Sequence, residues 1–204
     1  MNKRRLTSSK RCPRCKINLK LCFCPEIKNH ETNTRISIVM HHRERVLTSN
    51  TANLAKMALE KCDIFYRGQL DKPFKIEDLN IQEDEVAIYL FPHEGAVDLD
   101  EAFLEKYKDK KFHLVVPDGS WNQAVKFHRR EKGLSEIMCV SLPPGRPGRY
   151  RLRKSNHENK LSTFEAIARA LGILENNSEL EDDLDRMFDT MVERIIYSRN
   201  HYEN

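Results

Sequence analysis

Short apolar runs that alternate with helix-start signals are the feature of this sequence that most restricts its fold. Residues 86–91 (VAIYLF) form one such run, which ends at Pro92. Residues 112–116 (FHLVV) form another, which Pro117 follows. Runs of this length without polar alternation are typical of strands that are covered on both faces. We therefore predict an α/β fold with a mostly parallel sheet and flanking helices.

The segments around these runs extend the same alternation. Residues Arg35–His41 and 137–142 predict two further strands. The helix that begins near Ser178 carries an apolar stripe, which serves either the core or an interface between subunits. A helix is predicted over 50–61 because apolar residues recur there at helical spacing: Leu54, Met57, Ala58 and, just beyond, Cys62. A second predicted helix covers Trp121–Arg130. Three more begin at capping patterns: Asp98 with Glu101, Ser162 with Glu165 (to Gly172) and Ser178 with Glu181.

Ligands of such sheets bind at the carboxyl ends of the strands, so chemistry is expected there. Asp118 directly follows a predicted buried strand, and Gly119 and Ser120 lead into a helix that begins near Trp121. This position puts a carboxylate at the ligand-binding edge of the predicted sheet. An aspartate that caps the helix, with Trp121 in the core, explains the same pattern equally well.

Two more segments fall at predicted strand or helix ends. The helix start at Ser162 and Thr163 offers free backbone N–H groups, which bind a carboxylate or a phosphate. Residues 90–96 (LFPHEGA) turn through a proline and a glycine at the end of a strand, as a backbone-lined cofactor loop or a plain turn would. Neither a G-x-G-x-x-G motif nor a Walker motif is present in the chain.

Four of the six cysteines lie within thirteen residues. Their spacing, with one C-x2-C pair, is typical of a tetrahedral Zn²⁺ site with four thiolate ligands, which leaves no open coordination position for catalysis. We expect a structural zinc ion that folds a small N-terminal segment (1–30), ahead of a catalytic domain (31–204). The absence of a secretory signal favours the cytoplasm, a reducing compartment in which disulfides are not expected. The predicted ligands are Cys12, Cys15, Cys22 and Cys24.

The net charge of +4 understates how unevenly the charges are distributed. Residues 1–20 contain eight cations and no acid, whereas residues 175–189 are strongly acidic. Residues 143–155 (PPGRPGRYRLRKS) combine cations with one tyrosine, a mixture that suits phosphate contacts and base stacking. We predict RNA contact there, and no membrane span, because no apolar run approaches the required length. The predicted RNA-contact residues are Arg149, Tyr150, Arg151 and Arg153.

Taken in order, these motifs resemble the DTW-domain family of tRNA-uridine aminocarboxypropyltransferases. The resemblance spans about residues 12–171. Ser120 stands where the family's name-giving motif usually has threonine, and it keeps the hydroxyl group. The matching motifs are the four clustered cysteines, Met40-His41 with Glu44, Thr48-Ser49-Asn50-Thr51, Phe91-Pro92, Asp118-Gly119-Ser120-Trp121, Tyr150-Arg151-Leu152-Arg153 and Ser162-Thr163-Phe164-Glu165-Ala166.

This resemblance implies a SPOUT-like fold, with or without a knot in its C-terminal part, in which S-adenosylmethionine donates its 3-amino-3-carboxypropyl group to N3 of a tRNA uridine. Asp118 would remove the N3 proton, and Ser162 with Thr163 would hold the carboxylate of the donor. The adenine would lie against the backbone near Leu90, Phe91, Pro92 and Leu142, with Ser120 and Trp121 beside the donor. Two alternatives stay open: a SPOUT-type tRNA methyltransferase, and a zinc-knuckle RNA-binding protein without catalysis.

Overall fold

The protein is described by a computed structural model over residues 11–152 and 161–202. Its centre is a six-stranded sheet in which all the paired strands run parallel. The strands are β1 (Arg35–His41), β2 (Cys62–Arg67), β3 (Glu85–Leu90), β4 (Val97–Asp98), β5 (Lys111–Asp118) and β6 (Met138–Ser141), in the order β2-β1-β5-β3-β6-β4. The predicted parallel α/β fold is confirmed. The knot that the resemblance allows stays a prediction.

Helices cover both faces of this sheet. They are α1 (Ala52–Ala58), α2 (Glu101–Lys106), α3 (Trp121–Arg130), α4 (Thr163–Leu174) and α5 (Ser178–Tyr202), with short 3-10 turns at Leu19–Leu21, Cys24–Glu26, His42–Val46, Ile76–Leu79 and Leu134–Glu136. None of the helices in the described part of the chain is long and apolar enough to cross a membrane.

Alternating side chains of the strands divide the core into two layers. In β1, Ile36, Ile38 and Met40 face the larger layer, whereas Val39 faces the smaller one. This alternation follows from the two-residue period of a strand. Helices α1, α2, α4 and α5 supply the larger layer, and α3 supplies Ala124 and Phe127 to the smaller one. The apolar stripe of α5 is therefore part of the core.

The N-terminal cysteines share the larger layer with the main sheet. Cys12 and Cys15 are buried in it, as are Ile17 and Phe23, each only 1% exposed. The division into 1–30 and 31–204 stays a prediction, and the two parts have one apolar core in common.

Two element predictions are wrong in an instructive way. Cys62 does not continue the first helix: α1 ends at Ala58, and Cys62 begins β2, which pairs with β1. The four-residue interval from Ala58 to Cys62 matched the helical period by coincidence. Asp98 does not cap a helix either, because it lies in β4 and accepts a hydrogen bond from Ser141 at 2.6 Å. The cap of α2 is Asp100.

The strand order brings several chain segments to one edge of the sheet. β1, β5, β3 and β6 are consecutive neighbours, so their carboxyl ends lie side by side. β5 extends through Pro117 to Asp118, and Asp118 pairs with Met40 of β1. The pairing of β5 with β3 already ends at Val115. The proline, which lacks an N–H group, thus lies beyond the doubly paired part of the strand. Asp118 reaches the edge as the last strand residue.

Candidate active site

A cleft of about 250 Å³ opens at this carboxyl edge, between β5 and the N-terminus of α4. Five residues predicted for donor binding or catalysis line it together with Tyr150 of the predicted RNA-contact loop. The lining residues are Ser49, Thr51, Asp118, Gly119, Ser120, Trp121, Tyr150, Leu161, Ser162 and Thr163. Residues separated by more than a hundred positions in the sequence therefore meet at one place.

Asp118 is the buried carboxylate of this cleft, with 5% of its surface exposed. Its Oδ2 accepts a hydrogen bond from the Asn50 amide at 2.7 Å, and its Oδ1 accepts one from the Thr163 hydroxyl at 2.5 Å. The alternative role as a helix cap is wrong, because Ser120 caps α3 and forms a capping box with Gln123. The carboxylate therefore does not cap α3, and hydrogen bonds from two neighbouring segments orient it.

Asn50 is the functional residue that the sequence reasoning did not select. It is only 3% exposed, and its side-chain oxygen also accepts a hydrogen bond from the backbone N–H of Asn53 at 3.3 Å. Its amide group is therefore held with the nitrogen toward Asp118. The sequence signal was available in part, since Asn50 belongs to the Thr48-Ser49-Asn50-Thr51 motif and follows the strand β1.

The N-terminus of α4 has fewer free donors than its capping pattern suggested. The Glu165 backbone N–H donates to the Ser162 hydroxyl at 3.3 Å, and the Phe164 N–H donates to the Thr51 hydroxyl at 3.3 Å. The Glu165 carboxylate in turn accepts the Ser162 N–H at 2.7 Å. Within this turn, the N–H of Thr163 is the donor without a partner among the described residues. A ligand carboxylate would have this one backbone donor.

Trp121 forms an exposed wall of the cleft rather than part of the core. It is 44% exposed, and its ring lies 4.8 Å from the ring of Phe91, measured between centroids. Two hydrogen bonds of its backbone hold Phe91 in place. Its N–H donates to the carbonyl of Val140 at 3.0 Å, and its carbonyl accepts a hydrogen bond from the Cys139 thiol at 3.0 Å. Burial raises the pKa of Cys139, which keeps this thiol protonated as a donor.

The remaining predicted donor-binding residues lie beside the cleft rather than in its lining. Leu90 is buried in the larger core layer, Leu142 packs against that layer, and Pro92 is exposed. Phe91 reaches the cleft only through its contact with Trp121. The structure thus brings together Asp118, Ser120, Trp121, Ser162 and Thr163, and places Leu90, Phe91, Pro92 and Leu142 around them.

We use the name arginine loop for residues 143–152, the described part of the predicted RNA-contact loop. Its Tyr150 ring packs 5.8 Å from Phe188, and its hydroxyl donates to the carbonyl of Ser49. Arg149 pairs with two carboxylates of α5, Asp185 at 2.6 Å and Asp189 at 2.8 Å. The loop is therefore fixed against both the cleft and α5.

The charges of the arginine loop and of α5 partly cancel. Burial raises the pKa of Asp185, and the guanidinium of Arg149 opposes this shift. Arg146 lies 3.5 Å from Asp182 in a more exposed pair. Arg151 is exposed and has no hydrogen-bonded or ionic partner among the described residues. Arg153, the fourth residue predicted for RNA contact, lies outside the described residues.

The four clustered cysteines form a second candidate site, remote in sequence from the cleft. Their sulfur atoms all lie within 4.8 Å of one another. The Sγ atoms of Cys12 and Cys24 are 3.7 Å apart, and those of Cys15 and Cys22 are 3.9 Å apart. A tetrahedral zinc ion with Zn–S bonds of about 2.3 Å requires sulfur separations of roughly 3.8 Å. The observed spacing fits such an ion.

The thiols of this cluster differ in acidity. Burial raises the pKa of Cys15 to about 12. At Cys12 burial acts in the same direction, but hydrogen bonds from the backbone of Cys15 and Arg14 and from neighbouring thiols outweigh it and lower the pKa to about 7. A metal ion that binds four thiolates displaces these protons, so its affinity depends on pH.

Comparison with known proteins adds an independent line of observation. The sequence model of the DTW domain matches residues 9–196. The tRNA-uridine aminocarboxypropyltransferase 2 of Drosophila melanogaster is 27% identical over 186 residues, which cover 89% of this chain and 73% of the fly protein. The proteins of the same name from Macaca fascicularis and Mus musculus are each 26% identical over 179 residues, which cover 85% of this chain and 59% of theirs.

Among solved structures, the SAM-dependent rRNA:acp-transferase Tsr3 from Vulcanisaeta distributa is similar to this chain with a TM-score of 0.48 and 18% identity. The superposition covers 84% of this chain and 82% of the Tsr3 chain.

Proposed function

Because this chain belongs to the DTW-domain family, we propose that it transfers the 3-amino-3-carboxypropyl group of S-adenosylmethionine to N3 of a uridine in tRNA. The by-product is 5′-methylthioadenosine. The observation that supports this most strongly is the buried Asp118 carboxylate, which lines a cleft at the carboxyl edge of a parallel sheet. A tRNA substrate and a cluster of free thiols both suit a reducing cytoplasm.

Asp118 is the proposed general base. The N3–H group of uracil is a weak acid, so a carboxylate within hydrogen-bond reach is needed to take its proton as N3 attacks. Asn50 and Thr163 each donate a hydrogen bond to this carboxylate. These two bonds fix the plane of the carboxylate, which favours a single productive geometry.

The proposed transfer is balanced without a further reactant. A bond forms between uridine N3 and the methylene carbon attached to sulfur, and that carbon–sulfur bond breaks with its electron pair going to sulfur. The positive sulfonium thereby becomes a neutral thioether, and the N3 proton passes to Asp118. The chain's part is mainly alignment of the two reacting atoms, since the leaving group departs without protonation.

Donor binding is assigned to the residues around the cleft. The cleft is small for a whole nucleoside, so we place the amino-acid part of the donor inside it, near the Thr163 N–H and Ser162. The exposed ring of Trp121 offers a stacking surface at the rim, supported by Phe91. Ser120 lies in the same lining, while the backbone near Leu90, Pro92 and Leu142 is the proposed neighbour of the adenine.

The RNA side of the cleft is assigned to the arginine loop. Tyr150 lines the cleft with its hydroxyl held by Ser49, so its ring is a fixed surface for an unpaired base. Arg151 is available for phosphate contact, and Arg153 follows two residues later in the sequence. Contact of Arg149 with RNA stays a prediction from the sequence, because its present partners are the carboxylates of α5.

Cys12, Cys15, Cys22 and Cys24 are the proposed ligands of a structural zinc ion. Their sulfur separations suit tetrahedral coordination, and with four thiolates bound the ion has no position for a substrate. Its contribution would be to hold residues 12–24 in the conformation that buries Ile17 and Phe23.

A pair of aspartate variants tests the role of Asp118. Asp118→Asn keeps the shape of the side chain but removes the base, and we expect release of methylthioadenosine to slow at least about 100-fold. Asp98→Asn is the matched control, because Asp98 also ends a strand but lies outside the cleft lining. Its rate should stay within about twofold of wild type.

Donor affinity and thermal unfolding are measured for both variants, so that a folding defect is separated from a chemical one. A wild-type rate in Asp118→Asn would contradict the base assignment. Release of S-adenosylhomocysteine by the wild type would support the methyltransferase alternative. Binding of tRNA without any binding of the donor would support the non-catalytic alternative.

A further inference from the structure

Two exposed tyrosines lie near the end of α5, outside the cleft and unused by the proposed chemistry. Tyr197 is 48% exposed and Tyr202 is 40% exposed, and their ring centroids are 6.3 Å apart. The Nζ of Lys20 lies 5.6 Å from the centroid of the Tyr202 ring, in a cation–π contact. His201 stacks on Tyr197 at 4.0 Å. We call Tyr197, Tyr202 and Lys20 the tyrosine platform.

The chain segment that supplies Lys20 to the platform is basic. We use the name cysteine segment for residues 11–26, in which the cations are Arg11, Arg14, Lys16 and Lys20 and the only acid is Glu26. Glu26 is already paired with Arg194 of α5 at 3.1 Å. Among the described residues, no carboxylate pairs with Arg14, Lys16 or Lys20. The platform therefore adjoins a segment in which three cations lack a carboxylate partner within the described part of the chain.

The platform lies at the C-terminal end of α5, and the cleft is linked to the same helix nearer its middle. Phe188 contacts Tyr150, which lines the cleft, and Arg199 donates to the carbonyl of Leu152 at 3.4 Å. From Phe188 to Tyr202 the helix advances roughly 21 Å at 1.5 Å per residue. That distance corresponds to about six stacked nucleotides at 3.4 Å each. One RNA molecule is long enough to occupy the cleft and the platform together.

We propose that the tyrosine platform is a second contact surface for tRNA, on which an unpaired base stacks while neighbouring phosphates contact the cations of the cysteine segment. Exposed aromatic rings with interleaved cations are the arrangement that binds single-stranded nucleic acid. The charge pattern favours a polyanion over an apolar protein partner. The inference rests on the proposed function for the identity of the RNA, and its test is independent of turnover.

The first test is binding of unmodified tRNA by fluorescence anisotropy. The double variant Tyr197→Ala with Tyr202→Ala should bind about 10- to 100-fold more weakly than wild type, since two stacking rings are lost. The matched control is Tyr197→Phe with Tyr202→Phe, which keeps both rings and should bind within about twofold of wild type. Lys20→Gln should reduce the dependence of log affinity on log salt by about one.

The second test separates the platform from the cleft. A uridine-containing RNA of four nucleotides is too short to span both surfaces and still binds at the cleft, so the alanine double variant, compared with wild type, should lose much less affinity for it than for full tRNA. Equal binding of full tRNA by these two proteins, with unchanged melting temperatures, would overturn the proposal. If the wild type shows no transfer at all, the proposed function fails, and the anisotropy comparison still decides whether the platform binds RNA.

Discussion

Two stretches of this chain are rich in cations, the cysteine segment (residues 11–26) and the arginine loop (residues 143–152), and the fold places their charges differently. In the arginine loop, Arg149 and Arg146 face carboxylates of α5. In the cysteine segment, Arg14, Lys16 and Lys20 have no acidic partner among the described residues. A basic sequence therefore identifies a nucleic-acid surface only once the partners of its cations are known.

The two stretches also differ in how they attach to the protein. The cysteine segment buries Ile17 and Phe23 in the larger core layer, so apolar packing attaches it to the rest of the protein. No residue of the arginine loop is fully buried. Polar bonds hold Arg149 to α5 and to Glu165 and Tyr150 to Ser49, and Tyr150 and Leu152 pack at the edge of the larger core layer. We expect loss of the first attachment to cost much more stability than loss of the second.

The largest expected effect is that of removing the metal ligands. In Cys12→Ser with Cys15→Ser, zinc should be lost and the cysteine segment released, which exposes Ile17 and Phe23. The cost is roughly 3–6 kcal/mol, at 1.5–3 kcal/mol for each buried side chain. Thermal unfolding followed by circular dichroism should show a melting temperature lower by on the order of 10 °C, with zinc content measured by mass spectrometry.

Cys139→Ser is the control for this experiment, because Cys139 lies outside the cluster and a serine can still donate to Phe91. It should retain zinc and melt close to wild type. Zinc loss with an unchanged melting temperature in the double variant would show that the main core is stable without the cysteine segment. The proposed division after residue 30 would then mark a true domain boundary.

An intermediate effect is expected from Arg149→Gln. The variant leaves Asp185 without its closest cation, at a cost of about 1–2 kcal/mol at pH 7, a small value because the arginine is partly exposed. Burial already raises the pKa of Asp185, and loss of the guanidinium raises it further. The deficit is therefore present at neutral pH and shrinks as the pH falls through the folded-state pKa.

Urea unfolding at pH 7 and at pH 4 measures this deficit, with Arg151→Gln as the control. Arg151 has no partner among the described residues, so its variant should unfold like wild type at both values. A deficit of equal size at both pH values would mean that Asp185 is not the group left unpaired.

The smallest effect concerns RNA affinity. Arg151→Gln should weaken tRNA binding a few-fold and reduce the slope of log affinity against log salt by about 0.9, as expected for one lost phosphate contact. Arg149→Gln should leave the slope unchanged, because its charge is neutralised by α5. Titrations at several salt concentrations measure both slopes. Equal changes of slope for the two variants would show that Arg149 contacts RNA phosphates as Arg151 does.

These contrasts show where sequence reasoning works and where it ends. The bounds of β1 and α3 agree with the predicted ranges Arg35–His41 and Trp121–Arg130, because apolar runs and the spacing of apolar residues are local patterns. β2 was missed because Cys62 fell at helical spacing by coincidence. A local period cannot tell such a coincidence from a real helix.

The candidate site divides in the same way. Asp118 was predicted from its place after a buried strand, and the structure puts it in the cleft. Its partners Asn50 and Thr163 are 68 and 45 residues away in the chain, so only the fold brings them to it. The pairing of Arg149 with Asp189, 40 residues apart, was hidden for the same reason, and the two charged stretches were interpreted separately.

The most direct test of the proposed function is the identity of the by-product. The wild-type protein is incubated with S-adenosylmethionine and unmodified tRNA, and the nucleosides and small molecules are quantified by mass spectrometry. We predict methylthioadenosine and 3-amino-3-carboxypropyluridine in equal amounts, both dependent on tRNA. Release of S-adenosylhomocysteine with a methylated nucleoside, or donor that remains intact while tRNA is bound, would contradict the proposed reaction.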